Sequence, residues 1–523
     1  MGEDGARPLG WVDTVCHNLY LPSDLAMTAY PLAFARARQI VDALESHLTS
    51  EATLQADPAD IEAHLQTQGQ EIVRQLLQGH LDYRAAVEEL TPCNGADGHT
   101  RAEVRPGGRP LMTLFGEVRV SRCALFDRHA PGGLRPMDAS LNLPPDRYSF
   151  GLRQRVVETA FGSSYDEVVA HIDTTCAGHV PKRQAENLVL ASAVDVLDFY
   201  NLQPLTPAAP AALVVLSFDG KGVVMLTDGL RPATRKKAET EPRRLRHRIS
   251  PGEKPNRKRS AQVATVYELP PVPRTPEDII RPVGVEGPTR PRPQNKRIWA
   301  SLVQDPLAVI GDAFAEALRR DEAMAHPWVV LVDGCPHQLR RIEQTATSYG
   351  VAVFLVLDII HVAERLWKAA WCLFATGDPG AEAWVSQRLV RLLEGKVSGV
   401  AAGMRRSATH RGLSKAKRKG IDQCANYLLK YKRLLRYDLA LARGYPIATG
   451  VIEGACRHLI KDRMDRTGAR WGLAGGEAIL QLRSVAKSGD LKEYWRFHRQ
   501  RELERNHLRH FADHELEPLR RAA

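Results

Sequence analysis

At 523 residues the chain is too long for one ordinary hydrophobic core, and roughly three to four structural units are expected. No apolar run approaches the roughly 18 residues that a membrane span needs, and the first residues lack the basic-then-apolar layout of a secretory signal, so no membrane association is expected. The eight cysteines are scattered and form no Cys-x-x-Cys pair, so neither a zinc ribbon nor a disulfide framework is indicated and a reducing cytoplasm fits, while a formal charge of +11 favours a polyanionic partner.

Residues 1 to about 110 read as mainly helical. Asp57-Pro58 is an N-cap followed by proline at the first helical position, and Ile72, Val73, Leu76, Leu77 and Leu81 recur at helical spacing. Residues 111 to 126 predict a hairpin turning at Gly116-Glu117, with a Pro/Gly-rich connector to about residue 147. Between 148 and 205 the pattern is helical again. Ser164 to Glu167 has the form of a capping box, and Pro181-Lys182-Arg183-Gln184 opens a longer helix. A short helix, a turn and a helix with basic residues in its first turn are compatible with helix-turn-helix DNA binding, as they are with a plain bundle.

From Ala212 strands take over. Leu213 to Asp219 reads as a buried strand ending in an acid, Asp219-Gly220-Lys221-Gly222 as a turn, and Val223 to Leu226 as a second strand. A basic segment follows, with twelve Lys or Arg against three Glu between Arg231 and Arg259. Lys236, Lys237, Arg257, Lys258 and Arg259 are its candidate nucleic-acid contacts. Ala261 to Tyr267 is a third strand, and a Pro-rich excursion runs to Pro293. Leu307 to Arg320 is a helix, Trp328 to Val332 a fourth strand before Asp333, Gln338 to Tyr349 a helix and Val351 to Leu357 a fifth strand. Asp358 opens a helix through Trp371. This order implies a mixed sheet flanked by helices, over about residues 206 to 373, with residues 229 to 297 as an insertion. A helical, basic stretch occupies about 374 to 448, and from 473 the chain reads as a charged helical tail, partly frayed at its end.

Thr449 to Trp471 reads as a helix start, with Thr449 as N-cap. On an α-helix Glu453, Arg457 and Lys461 share one face, so that an acid able to hold a cation stands beside two phosphate-binding bases. Asp462 and Asp465 lie a few turns further on and read as structural; Trp471 reads as a core residue that could also stack on a base.

The motifs Ser217-Phe218-Asp219-Gly220-Lys221, Val332-Asp333-Gly334, Asp358-Ile359-Ile360-His361 and Gly450 to Arg457 with Thr467 to Trp471 together resemble the DDE transposases of insertion sequences, of the Kra type within the Mutator-like group. The resemblance covers roughly residues 110 to 490. It implies an RNase H-like catalytic fold with an all-helical insertion before the glutamate. Asp219, Asp333 and Glu453 would be the catalytic, metal-binding acids, with Asp358 and His361 as an accessory Asp-x-x-His element. Asp358 competes with Asp333 for the second metal position, and fold order favours Asp333. Arg457, Lys461 and Arg470 would contact DNA. The implied cofactor is Mg²⁺ or Mn²⁺, as a pair of ions. The implied partners are the element's terminal repeats and target DNA, bound by a homo-oligomer in the cytoplasm at the nucleoid. The departure is the absence of a cysteine-rich knuckle: only Cys93 and Cys123 lie near the hairpin. A nuclease of the same fold that does not join ends, and a transposase-derived DNA binder without catalysis, are the alternatives.

Overall fold

The structure, a computed structural model, describes residues 31–204, 206–240, 245, 257–281, 284–286, 291–466 and 468–516. Arg243, Arg244, Arg246, Arg248 and Lys254 of the basic segment lie outside these residues. The chain divides into two units, Met1–Phe199 with Lys492–Ala523, and Tyr200–Leu491.

In the first unit the 29-residue helix Pro58–Ala86 starts as its sequence predicts, with Asp57 accepting from the Ala59 amide at 2.8 Å. It packs on a hairpin of β3 (Glu103–Thr113) and β4 (Gly116–Phe126), where Leu81, Leu111, Val118 and Val120 share a small core. Two short strands, β1 (Cys93–Asn94) and β2 (Thr100–Arg101), precede the hairpin. The region before residue 111 is therefore not helical throughout. Helices Phe150–Ala160, Tyr165–Thr175 and Lys182–Ala193 follow, the second opened by the Ser164–Glu167 capping box. The charged C-terminal helix, Leu491–Asn506, is no frayed tail over its described length: it buries Tyr494, Trp495, His498 and Glu502.

The second unit is mixed α/β. Its five-stranded mixed sheet runs β7 (Gln294–Ser301), β6 (Lys258–Leu269), β5 (Leu213–Val224), β8 (Trp328–Val332), β9 (Val353–Leu357). Pairs β5–β6 and β6–β7 are antiparallel, β5–β8 and β8–β9 parallel. Each parallel connection carries a helix. Pro306–Arg320 precedes β8 and Pro336–Tyr349 links β8 to β9. The first buries Val309, Ile310, Ala313, Phe314 and Ala317, and every residue of β8 is buried, as its unbroken apolar run requires of a strand covered on both faces. Fully burying each large apolar side chain contributes about 1.5–3 kcal/mol. Ile359–Ala370 follows β9, and helices Pro379–Leu393, Val397–His410, Lys419–Lys430 and Tyr437–Ala442 fill the predicted helical insertion.

Two expectations in this unit differ from the structure. Asp219-Gly220-Lys221-Gly222 is no turn: β5 runs straight through it, pairing Gly220 with Gln262 and Gly222 with Ser260. A Cβ at these glycines would come to 3.0 Å from Ser260 Oγ and from Lys258 Cδ, so the glycines serve close approach of β6, not reversal. Strand β7 was not expected, because it is an edge strand whose first half is polar and exposed. Among the described residues no helix is long and apolar enough to cross a membrane.

Candidate functional site

Three acids lie side by side on three neighbouring parallel strands of the second unit: Asp219 midway along β5, and Asp333 and Asp358 just past the ends of β8 and β9. Ser217 pairs with Leu331 and Val332 with Leu357. Continued past these pairs, the register sets Asp219 beside Asp333 and Asp333 beside Asp358, on strands about 4.8 Å apart. The amide of Asp358 still donates to the Val332 carbonyl at 2.8 Å, which carries the alignment past the last strand residue.

The three carboxyl groups are held differently. Asp333 Oδ1 accepts from the Cys335 amide at 2.7 Å, a local turn bond made with Gly334 at φ +88°. Asp219 Oδ1 accepts from the Gly220 amide at 2.6 Å, and its Oδ2 accepts from the Cys456 thiol at 3.0 Å. Asp358 is completely buried and fully engaged. Its Oδ1 accepts from the amides of Ile360 at 3.0 Å and Thr449 at 3.4 Å; its Oδ2 accepts from the Thr449 hydroxyl and from His361 Nδ1 at 2.9 Å. The Thr449 side chain therefore does not cap its own helix but ties the start of that helix to the end of β9. Asp358 is an N-cap and an orienting group, which leaves Asp333 the acid of the two with an oxygen, Oδ2, that accepts no hydrogen bond among the described residues.

His361 is lifted above its ordinary pKa. Burial pushes it down, but the bond to Asp358 and the charges of Asp358, Glu364 and Asp333 outweigh that. Glu453, on helix Gly450–Ala455, is exposed and reaches this histidine: ligand atoms of Asp358, His361 and Glu453 lie within 4.8 Å of one another. Asp219 and Asp333 are outside that group and share a neighbouring cavity of about 250 Å³. Cys456, three residues after Glu453, joins the two clusters. Burial and then the Asp219 charge push its thiol well above the ordinary range, so it stays a proton donor.

The helix bearing Glu453 is not a plain α-helix. Cys456–Lys461 forms a π-helical turn, which takes roughly one more residue per turn, so Arg457 and Lys461 do not repeat the position of Glu453 as α spacing predicts. The buried guanidinium of Arg483 holds this turn, donating to the carbonyls of Leu459 at 2.8 Å and of His458. Arg457, Lys461 and Arg470 are exposed. Trp471 is a core residue, its Nε1 donating to the Met464 carbonyl at 3.2 Å under the Arg463 guanidinium. Asp462 pairs with His458 at 2.9 Å.

The basic segment divides. Lys236 and Lys237 are exposed on helix Pro232–Thr240. Lys258 and Arg259 open β6 and Arg257 precedes it; Arg257 is buried. Arg259 is occupied within the fold, donating to the carbonyls of Leu302 at 2.5 Å and Gly229 at 3.1 Å.

The sequence reading missed a second acid–histidine group, Asp195, His498 and Glu502, buried in the first unit. The only local signal was the i, i+4 spacing of His498 and Glu502. His498 Nδ1 donates to Asp195 at 2.6 Å, but Arg505 bonds both acids and Arg153 reaches Glu502 at 3.4 Å. Two arginines already balance the two carboxylates, so this group fits an ion-pair network better than a cation. Asp219, Asp333 and Glu453 differ: among the described residues none of them has an ion-pair partner. Exposed or half-buried carboxylates without an ion-pair partner, offering hard oxygens from two neighbouring strands and a helix packed on them, fit a divalent cation.

No protein-family model matches the chain, and no curated protein matches it.

Proposed function

We propose that the chain is a DDE-type DNA transposase of an insertion sequence, with an RNase H-like core, acting on the phosphodiesters at the element's ends and on target DNA. The observation that carries the reading is the alignment of Asp219, midway along β5, with Asp333 just past the end of β8, with the Cys456–Asp219 bond bringing the Glu453 helix to the same place. Asp219, Asp333 and Glu453 would hold Mg²⁺ or Mn²⁺. Such ions, when bound, neutralise charge at phosphorus and make water or a 3′-hydroxyl a better nucleophile.

The remaining roles belong to side chains. Asp358 fixes His361 through Nδ1, leaving Nε2 to face the DNA and donate a proton-bearing contact to a phosphate oxygen. Arg457, Lys461 and Arg470, with Lys236 and Lys237, supply exposed positive charge for the DNA backbone. Asp219 and Asp333 are fixed by the sheet and need little reorganisation when the nucleic acid arrives. Action on paired ends would call for an oligomer, and the DNA partner would place the protein at the nucleoid.

The test is cleavage and joining of a labelled duplex carrying the gene's own flanking sequence, with Mg²⁺, Mn²⁺ or EDTA, using wild type and Asp333→Asn. Metal-dependent nicks and joined products lost in the variant support a transposase. Nicks without joining indicate a nuclease, and salt-sensitive binding with no cut indicates a non-catalytic DNA binder.

A further inference from the structure

Three tyrosine hydroxyls from the helical segment 419–442 end on backbone carbonyls at the tips of β8 and β9. Tyr431 donates to the Gly334 carbonyl at 2.6 Å, and Tyr437 donates to the Leu357 carbonyl at 2.7 Å. Tyr427 makes a longer bond, 3.4 Å, to the carbonyl of Asp333 itself. These carbonyls belong to Asp333, to the residue after it and to the residue before Asp358, so each bond acts within one residue of an aligned acid.

The environment makes the two shorter bonds costly to lose. Tyr437 is completely buried and Tyr431 nearly so. Burial drives the Tyr437 hydroxyl far above its ordinary pKa, with the Asp358 charge adding to the effect, so it remains a donor at any pH the fold survives. A buried carbonyl deprived of its donor leaves an unsatisfied polar group, and the strand end carrying it must shift to find another. There is little room for that shift: Gly334 sits at φ +88°, and a Cβ there would meet Leu357 Cδ1 at 3.0 Å and the Tyr427 hydroxyl at 3.2 Å.

We propose that Tyr431 and Tyr437 are positioning residues that set the Asp333 carboxylate for cation binding, which makes the helical insertion part of the metal site's scaffold. This rests on the metal-dependent reading given above. The hydroxyls touch neither substrate nor cation and act through the strand ends alone. Tyr437 holds the Leu357–Asp358 peptide, whose N–H donates to the Val332 carbonyl beside Asp333 at 2.8 Å, whereas Tyr431 reaches Asp333 through its neighbour Gly334.

The experiment is Mn²⁺ titration by calorimetry of the full chain as wild type, Tyr431→Phe, Tyr437→Phe and Tyr427→Phe, with melting temperatures measured in EDTA. Phenylalanine keeps the ring packing and removes only the hydroxyl. Outer partners of a metal site typically change affinity by about 10–100-fold. The expected result is Mn²⁺ binding weakened about tenfold or more in Tyr431→Phe and Tyr437→Phe, with Tyr427→Phe close to wild type because its bond is long. Should Tyr437→Phe fail to fold, Tyr431→Phe alone carries the test. Wild-type affinity in Tyr431→Phe and Tyr437→Phe, whatever their melting temperatures, overturns the inference while leaving the metal reading intact. A wild type that takes up no Mn²⁺ overturns both.

Discussion

Cys456 and Asp219, 237 residues apart in the chain, meet through a thiol that donates to the carboxylate at 3.0 Å. The bond ties the π-helical turn after Glu453 to the middle of the strand carrying the first acid. It also gives the cysteine an unusual chemistry, since a thiol facing a carboxylate in a buried setting resists ionisation.

That resistance predicts selective labelling. Iodoacetamide at pH 8 is expected to modify the exposed Cys335 and to leave Cys456 intact in the native protein, with both modified after denaturation. Peptide mass spectrometry reads the outcome directly, and rapid native labelling of Cys456 would contradict the described contact.

Cation binding predicts a gain in stability that depends on the acids. Mn²⁺ at about 100 times its dissociation constant stabilises a folded protein by about 2.7 kcal/mol, seen as a higher Tm. Asp219→Asn is expected to remove that gain. In EDTA the same variant should melt close to the wild-type temperature, because the asparagine side-chain oxygen still accepts from the Cys456 thiol and the lost charge has no ion-pair partner among the described residues.

Arg483 offers a test of the π-helical turn. Burial, with the nearby Arg463 charge, brings its guanidinium down to about 10, yet it stays protonated at neutral pH and serves two carbonyls. Arg483→Leu leaves those carbonyls without their donor, a loss of about 2–4 kcal/mol. Hydrogen exchange over residues 456–464 should accelerate more than exchange in β8.

A pH effect is expected in the first unit. Burial pushes the Glu88 carboxyl up to about 7, and its Oε1 is buried without a hydrogen-bond partner among the described residues. With a folded pKa above the unfolded value of 4.5, the folded state holds the proton more tightly. Stability is therefore lost as pH rises from 4.5 through 7. Glu88→Gln should equal wild type near pH 4.5 and exceed it at pH 8 by up to about 3 kcal/mol, as read from denaturant midpoints.

Much of the sheet was legible because its signals are local. The apolar runs at Trp328 to Val332 and Val353 to Leu357 mark a central strand and its neighbour at the sheet edge, and Asp57, Ser164 and Asp358 announce helix starts within three residues of themselves. Asp333 and Asp358 were visible as strand-ending residues for the same reason, whereas Asp219, read as a strand end, lies midway along β5.

What the amino-acid order alone determined is this set of elements and the residues at their ends. Tertiary structure decided the rest. The glycines at 220 and 222 signal a turn until β6 is known to lie against them. The Glu453 stripe follows α spacing until Arg483 and Cys456 hold a π turn in it. Thr449 reads as a cap until Asp358, 91 residues away, takes its hydroxyl. Each outcome depends on a partner distant in sequence. A local pattern specifies which conformations a segment can adopt, and only packing and hydrogen bonds to remote groups select one of them.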